Sequence, residues 1–438
     1  MILMIQHFSR PSVNFSMKNL IQLKEFEPVR GEECQKRGFD EKTIRRIESF
    51  NRKQGKEVIQ ILRDGVKATS QVGIFAAGTK TIQILPKIGK EHAEDFTVKN
   101  LLYMLAYTRN INVSEAQISK LCERKRADFF EIIIYLFARN LLELLKKNFH
   151  KNYQETQENL NFIKGRILFQ EQIKKNLLRR NFIYCNFSPF SEDILLNQIF
   201  KYASWLLIGL TRDSENYRLL KEIDFILSDI SFKRIKPADF DALHLDRLNY
   251  YYQPLVDLAR LFILHSTVEL THDRLQTFSF LFDMDEVFEQ FIAGFIIKNK
   301  SKVMPSNSYV KYHDRSKYLV DLPKSLFMLE PDITITCNSR KLIIDTKYKV
   351  LDPEKPKLGV SQPDMYQCVA YALKHNCSDV VLLYPAHLVK SADKEPYIMR
   401  YDGKEIRIFV RTIDLSIDMQ TQKPLIIDEL KSVCDCLR

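Results

Sequence analysis

Two aspartates and a lysine in the last third of the chain have the types and spacing that catalysis requires. Asp332 follows a proline, and Asp345 and Lys347 follow an apolar run. Two carboxylates beside a lysine suit Mg²⁺, because this ion takes few protein carboxylates and keeps several waters. A metal held in this way activates a water molecule for attack on a phosphate. The three residues therefore predict metal-assisted hydrolysis at a phosphate group.

The segment 330–349 is predicted to form two strands joined by a turn, since apolar and β-branched residues flank a turn-like stretch. We place the centre of the turn between Asn338 and Ser339. Asp332 then lies directly opposite Asp345. Facing carboxylates at roughly 5 Å repel each other and weaken a hairpin, and a bound cation is the simplest offset. A turn of odd length is the alternative, and it would put the two carboxylates on opposite faces.

The D-x-K spacing alone carries little weight, because it occurs by chance in most proteins. A solvated hairpin edge often carries Asp and Lys as well, which is the alternative interpretation. Three features together favour catalysis: the proline before Asp332, the predicted register and the apolar run into Asp345.

Two predicted helices contribute three further polar side chains. The first helix begins near Asp283 and places Glu289 at the edge of its apolar face, where a carboxylate needs a partner. A shared metal would provide that partner, and a salt bridge at the rim is the alternative. The second helix, residues 362–374, carries Gln367 and Tyr371 on one face because they are four positions apart. These two groups are placed to hold a water, a phosphate or the neighbouring lysine, unless they are exposed polar residues of an amphipathic helix.

The composition is that of a globular protein, and its charge favours a polyanionic partner. The chain has 438 residues, 45% of them hydrophobic and 28% charged, which predicts two or three domains. The net charge of +11 favours a partner such as nucleic acid. Only 12 glycines are present, and the sequence contains no Walker-type or Rossmann-type loop. We therefore do not expect the chain to hydrolyse a nucleotide itself.

The cysteine pattern indicates a reducing compartment. The eight cysteines are scattered and contain no C-x-x-C pair, which is typical of reduced thiols in a cytosol. A cytoplasmic protein is therefore expected. No apolar stretch approaches the length of a membrane span. Residues 1–16 are predicted to be a disordered extension, with Met17 as an alternative translation start.

The chain is predicted to have an α+β multidomain fold with three ordered segments after the extension. Residues 17–97 form a small strand-rich α/β module, residues 98–276 a helical middle region, and residues 277–438 a domain of strands and helices. Three strands and one helix are predicted in the first segment: strands at 21–23, 72–75 and 81–85, and a helix over 43–64.

A basic run in the middle region is a second candidate for contact with nucleic acid. The residues are Lys174, Lys175, Arg179 and Arg180, with Tyr184 and Phe187 nearby. Phosphates attract lysine and arginine, and bases stack on aromatic rings. A solvated charged face is the alternative.

The order of the candidate residues resembles that of the PD-(D/E)xK nuclease superfamily. The order is a helix with Glu289, then Pro331-Asp332, then Asp345-x-Lys347, then a helix with Gln367-x-x-x-Tyr371. More closely, the chain resembles the McrC family, the nuclease subunits of McrBC-type modification-dependent restriction systems. The stretches that carry this resemblance are DMDEVFEQF, EPDITI, LIIDTKYK, DMYQCVAYA and, upstream, TIQILPKI and KGRI. It covers most of the chain beyond residue 17.

The resemblance implies a PD-(D/E)xK nuclease core of mixed β-sheet flanked by helices in residues 277–438. Within it, Asp332 and Asp345 would be Mg²⁺ ligands, and Glu289 matches the superfamily's helical acidic position. Lys347 would orient or activate the attacking water and stabilise the phosphate charge. The Q-x-x-x-Y element of the RecB-like branch completes the implied set: catalytic Asp332, Asp345, Lys347, Gln367 and Tyr371, with Glu289, Asp332 and Asp345 as metal ligands.

The resemblance also implies partners. Members of the family work with an AAA+ partner, McrB, that hydrolyses GTP, recognises modified DNA and translocates. The N-terminal half of the chain would dock onto that partner, with residues 17–97 as the partner-docking module. The substrate would be double-stranded DNA with a 5-methylcytosine-type modification. Two other functions stay open: a free-standing repair or processing nuclease, and a non-catalytic scaffold that activates a partner AAA+ ATPase.

Overall fold

The computed structural model of the protein describes residues 20–77, 80–87, 94–108, 129–153, 155–179, 181–247, 249–265, 269–271, 274–277, 279–349, 351–352, 354–386 and 395–437. The predicted extension at 1–16 and the alternative start at Met17 lie outside the described residues. By packing, the chain divides into two compact units. One contains Glu131–Gln276, and the other combines Phe15–Phe130 with Thr277–Arg438. The four segments proposed from the sequence remain predictions.

The combined unit begins with two small groups of strands and helices. Its first elements are β1 (Leu20–Lys24), β2 (Pro28–Arg30), α1 (Gly31–Lys36), α2 (Glu41–Gln54), β3 (Ile59–Leu62), β4 (Gly65–Ala68), β5 (Gln71–Ala77), β6 (Lys80–Leu85) and α3 (Glu94–Leu105). β1 pairs in parallel with β6, which pairs antiparallel with β5. A second sheet has the order β2-β4-β3. Phe50 of α2 stacks on Phe75 of β5 with ring centroids 4.4 Å apart, so α2 covers the core of this part.

Three predicted strands in this part are confirmed as β1, β5 and β6. The predicted helix over 43–64 is too long. Helix α2 ends at Gln54 because Gly55 adopts a left-handed conformation with φ 65°, which terminates a helix. The Asn51 side chain then accepts a hydrogen bond from the Val58 N–H (3.0 Å) and donates to the Ile59 carbonyl (2.7 Å). These bonds fix the start of β3 where the sequence predicts a continued helix.

The elements between residues 129 and 277 are helices interrupted by short strands. They are α4 (Phe129–Lys147), β7 (Asn152–Tyr153), β8 (Thr156–Leu160), β9 (Arg166–Ile167), α5 (Phe169–Asn176), β10 (Ile183–Phe187), β11 (Phe190–Ser191), α6 (Leu195–Ile208), α7 (Ser214–Ile226), α8 (Pro237–Asp241), α9 (Gln253–His265), β12 (Glu269–Thr271) and β13 (Arg274–Thr277). The ring of Phe137 packs on those of Phe200 and Phe262, at 6.5 and 5.7 Å. The prediction of a helical region misses the sheet β8-β10-β9, because these strands are short and mostly half-buried and so lack a clear alternating pattern.

The second part of the combined unit carries the candidate site. Its elements are β14 (Ser279–Asp283), α10 (Met284–Lys298), α11 (Lys300–Val303), β15 (Tyr309–Tyr312), β16 (Lys317–Val320), β17 (Leu326–Leu329), β18 (Ile333–Cys337), β19 (Arg340–Thr346), α12 (Gln362–His375), β20 (Asp379–Pro385), β21 (Tyr397–Tyr401), β22 (Lys404–Ile413) and α13 (Lys423–Val433). A six-stranded sheet has the order β15-β18-β19-β20-β22-β21. It is mixed, since β19, β20 and β22 are parallel and the other neighbours are antiparallel. Strands β19 and β20 are apolar and buried because neighbouring elements cover both faces.

Among the contacts that join the two parts of this unit, those of β14 and α10 bear directly on the site. β14 pairs antiparallel with β5 and so becomes the fourth strand of the N-terminal sheet. Helix α10 packs closely on the segment after α3, because a Cβ at Gly294 would lie 2.1 Å from the Tyr107 carbonyl oxygen. Only glycine allows this approach. The helix that carries Glu289 is therefore held against the N-terminal part.

None of the described helices is long and apolar enough to cross a membrane. The described cysteines Cys34, Cys185, Cys337, Cys368, Cys377 and Cys434 are all buried.

Candidate active site

The β18–β19 hairpin has the register predicted from the sequence. Ile333 pairs with Ile344, and Cys337 pairs with Arg340 at the turn. Asn338 in the turn has φ 52°, a left-handed conformation that asparagine tolerates. Asp332 directly precedes the first pair and Asp345 directly follows it, so the even-length turn puts both carboxylates at the same end of the hairpin.

Asp345 is fully buried, with 0% of its surface exposed. Its Oδ2 lies 2.7 Å from the Lys347 ammonium, and its Oδ1 has no hydrogen-bond partner among the described residues. Burial, followed by the charge of Asp332, raises the pKa of Asp345. A buried carboxylate with one unpaired oxygen is unfavourable unless something else binds it.

Asp332 is held by the strand that carries its neighbour. Its Oδ2 accepts hydrogen bonds from the backbone N–H and from the hydroxyl of Thr346, both at 2.7 Å. Burial, followed by the charge of Glu289, raises the pKa of Asp332. Each of the two carboxyl groups therefore keeps its proton to a higher pH than a free aspartate does, because the other negative charges are close and water is largely excluded.

Lys347 begins a chain of hydrogen bonds that continues through Gln367 and Tyr371, the two predicted residues of α12. Its ammonium donates to Gln367 Oε1 at 3.1 Å. Gln367 Nε2 in turn contacts the Tyr371 hydroxyl at 2.7 Å, and that hydroxyl donates to the Glu330 carbonyl at 3.1 Å. Burial lowers the pKa of Lys347, but the carboxylates of Asp345, Asp332 and Asp364 together outweigh burial and raise it. The lysine therefore stays cationic with a fixed direction.

Glu289 lies on α10 and contacts His313, which is not among the predicted site residues. Its Oε1 hydrogen-bonds His313 Nε2, and His313 Nδ1 lies 3.0 Å from Glu330 Oε1. Arg315 also pairs with Glu330, at 2.7 Å. His313 has φ 53° and follows a strand without any motif spacing. Sequence reasoning therefore had no signal for it.

Asp364, in the first turn of α12, is a further buried acid close to the site. Its charge contributes to the raised pKa of Asp345, and its Oδ2 lies 3.5 Å from Lys349 Nζ. It is on the face of α12 that carries Gln367 and Tyr371, three and seven positions further along. Helical spacing could have included it in the candidate set.

The donor set fits a Mg²⁺ ion only in part. Among the described residues, no group of three or more His, Cys, Asp or Glu side chains is arranged to hold a metal, and Glu289 is bound by His313. The structure therefore brings Asp332 and Asp345 together without closing the predicted triad. Two carboxylates with an unpaired buried oxygen still suit Mg²⁺, because this ion completes its shell with water.

The predicted basic run lies on a surface where lysines and aromatic rings meet. Lys175 Nζ lies 4.1 Å from the centre of the Tyr184 ring, and Lys164 Nζ lies 4.3 Å from that of Phe187. Glu171 pairs with Lys175 at 3.3 Å. Arg180 lies outside the described residues. Contact with nucleic acid at this surface remains a prediction.

Comparison with known proteins identifies relatives over most of the chain. A sequence profile of the family described as McrBC 5-methylcytosine restriction system component matches residues 66–385. The Escherichia coli (strain K12) type IV methyl-directed restriction enzyme EcoKMcrBC is 24% identical over 351 residues, which cover 77% of this chain and 97% of that protein.

Two solved structures from Thermococcus gammatolerans share the fold. One is a half-complex from a tetradecameric assembly of McrB AAA+ hexamers with bound McrC, with a TM-score of 0.65 and 20% identity over 94% of this chain and all of that chain. The other is an McrBC complex, with a TM-score of 0.50 and 23% identity over 64% of this chain and 88% of that chain.

Proposed function

This chain belongs to the McrBC 5-methylcytosine restriction system component family, and from that premise we propose that it is the DNA-cleaving subunit of a restriction complex. The reaction is hydrolysis of phosphodiester bonds in double-stranded DNA, dependent on Mg²⁺. An AAA+ partner hydrolyses GTP and recognises DNA with a 5-methylcytosine-type modification.

The observation that carries the proposal is the pairing of Asp332 and Asp345 beside Lys347. Residues with only a structural role do not explain a fully buried Asp345 with one unpaired oxygen. Asp332 and Asp345 would hold Mg²⁺, with Glu289 as a further ligand once it leaves His313. The ion would supply a Lewis acid for the phosphate and a water of lowered pKa.

The remaining residues place and stabilise the reacting groups. Lys347 is cationic and held between Asp345 Oδ2 and Gln367 Oε1, so its ammonium is directed at the place where a scissile phosphate meets the two carboxylates. There it orients the attacking water and stabilises the charge that develops on the phosphate. Gln367 and Tyr371 set the direction of the lysine. The Tyr371 hydroxyl, whose pKa burial raises beyond its usual range, stays neutral and acts as a hydrogen-bond donor.

An exposed apolar surface in the middle unit supports docking onto the AAA+ partner. Large hydrophobic side chains are exposed at Tyr153, Phe162, Ile163, Phe169, Ile173, Leu177, Leu178, Phe182 and Phe190, with Leu178 at 94%. Concentrations of exposed apolar side chains mark interaction sites in soluble proteins. A Thermococcus gammatolerans structure with the same fold contains McrC bound to McrB AAA+ hexamers, and we propose that these exposed side chains of the present chain contact such a partner.

The test is a cleavage assay on methylated and unmethylated plasmid, with and without the AAA+ partner, GTP and Mg²⁺. We expect cutting of methylated DNA only when all components are present. Cutting without the partner or GTP would instead support a free-standing nuclease. A chain that stimulates GTP hydrolysis but cuts no DNA would support the scaffold function.

A further inference from the structure

Tyr348 is a buried residue next to the candidate site. It contacts helix α10, which carries Glu289, and also the N-terminal part of the same unit. It directly follows Lys347 in the chain and is 3% exposed. Its ring lies 5.8 Å from the ring of Phe288, which directly precedes Glu289 on α10. Its hydroxyl donates to Glu25 Oε2 at 2.9 Å. One side chain therefore links the residue beside Lys347, the residue beside Glu289 and a residue more than three hundred positions away.

Glu25 is held rigidly from its own side of this contact. It is 0% exposed, and its backbone N–H donates to the Leu85 carbonyl at 2.9 Å. Its Oε2 also accepts from the Lys87 N–H at 3.2 Å. Glu25, which accepts the hydrogen bond from Tyr348, is therefore held by the backbone of Leu85 at its N–H and by the backbone of Lys87 at its carboxylate.

Stabilisation of the fold does not by itself explain the hydrogen bond between Tyr348 and Glu25. Glu25 Oε1 is buried and has no hydrogen-bond partner among the described residues. Burial, with a smaller contribution from the charges of Asp285 and Asp283, raises the pKa of Glu25 to about 8. A buried carboxyl group with an unpaired oxygen is unfavourable for folding. The role of Glu25 therefore lies in the residue that it holds, which is Tyr348.

We propose that Tyr348 is a positioning residue through which Glu25 fixes the direction of the Lys347 side chain and the placement of the helix that carries Glu289. Lys347 is already anchored by its backbone N–H, which donates to the Leu383 carbonyl at 2.9 Å. Tyr348 anchors the next residue through Glu25, so the backbone is held at Lys347 and at the position after it, while the ammonium lies 2.7 Å from Asp345 Oδ2. The inference rests on the proposed nuclease function.

The experiment compares three variants of the full chain in the complete complex: Tyr348→Phe, Glu25→Gln and Tyr384→Phe. Tyr384 is the matched control, because it is 1% exposed on the neighbouring strand β20 and its hydroxyl has no hydrogen-bond partner among the described residues. In Glu25→Gln, the amide oxygen still accepts from Tyr348 and Lys87. We measure kcat and KM for cleavage of methylated DNA, with thermal unfolding to determine the folded fraction.

Tyr348→Phe is expected to lower kcat about tenfold with KM unchanged, since small misplacements of a catalytic group are that costly. Glu25→Gln and Tyr384→Phe should cut at nearly the wild-type rate. The double variant Glu25→Gln with Tyr348→Phe, which leaves no carboxylate at the contact, should show the same loss of kcat.

Three results would overturn the proposal: a Tyr348→Phe rate equal to that of Tyr384→Phe, a loss that vanishes after correction for the folded fraction, or a double variant that cuts at the wild-type rate. The failure of the wild-type chain to cut DNA would instead refute the proposed function.

Discussion

Replacing Asp345 by asparagine should abolish cleavage while making the metal-free protein more stable at alkaline pH. The substitution keeps the shape of the side chain but removes a charge that is buried next to Asp332. Burial and that neighbouring charge raise the pKa of Asp345 to about 7, whereas an unfolded chain has an aspartate pKa of about 3.9. Between these values the folded protein keeps a proton that the unfolded chain has lost. Raising the pH through this window therefore destabilises the wild-type fold.

The size of the effect follows from that difference. One pKa unit corresponds to about 1.4 kcal/mol, so a rise from 3.8 to about 7 is worth about 4 kcal/mol at most. The variant loses the ion pair between Asp345 and Lys347, which offsets part of this gain. We expect a net increase of about 2 kcal/mol in the free energy of unfolding at pH 8, and little difference near pH 4.

The assay is urea unfolding of both proteins from pH 4 to 8 in the presence of a chelator, followed by addition of Mg²⁺. The wild type should lose stability as the pH rises and regain it with Mg²⁺, whereas the asparagine variant should respond weakly to both. Cleavage by the variant should fall at least a hundredfold, or about 2.7 kcal/mol in activation free energy. Parallel pH profiles for the two proteins, or wild-type cutting by the variant, would refute the assignment of Asp345 to the site.

The other predictions concern the groups around this aspartate. Lys347→Ala should lose cleavage about a hundredfold but keep Mg²⁺ binding in calorimetry, because an ammonium does not coordinate a cation. Gln367→Ala should have a smaller effect, about tenfold in kcat, since it frees the lysine on one side only; a full loss would give the glutamine a role in the chemistry. The Mg²⁺ affinity of the wild type should rise between pH 6 and 8, because Asp332 and Asp345 must lose their protons to bind the ion; an affinity independent of pH in this range would contradict their assignment as ligands.

The hairpin and the two helices of the candidate site could be predicted because local patterns determine them. The alternation of apolar residues and a two-residue turn fix the register that brings Asp332 and Asp345 together. The four-residue spacing of Gln367 and Tyr371 fixes their common face. In the structure Gln367 hydrogen-bonds both Lys347 and Tyr371.

The parts that sequence reasoning missed depend on contacts between residues far apart in the chain. His313 reaches Glu289 across 24 positions, and Tyr348 reaches Glu25 across 323. No spacing rule predicts such pairs from a single sequence. The strands β8 and β10 were missed for a different reason: each has only five residues, neither has a clear alternation of apolar and polar residues, and they pair with each other.

The pairing of β5 with β14 has a consequence for how the protein is made. The edge of β5 is completed only when Ser279–Asp283 has been synthesised, about 200 residues after β5 ends at Ala77. At roughly 5–20 residues per second, the ribosome needs about 10–40 s to deliver the missing strand. During this interval the nascent chain exposes an unpaired strand edge, which is a site for aggregation or for a chaperone. Glu25 and Tyr348 are 323 positions apart, so their contact forms later still, and the candidate site cannot assemble before translation is nearly complete.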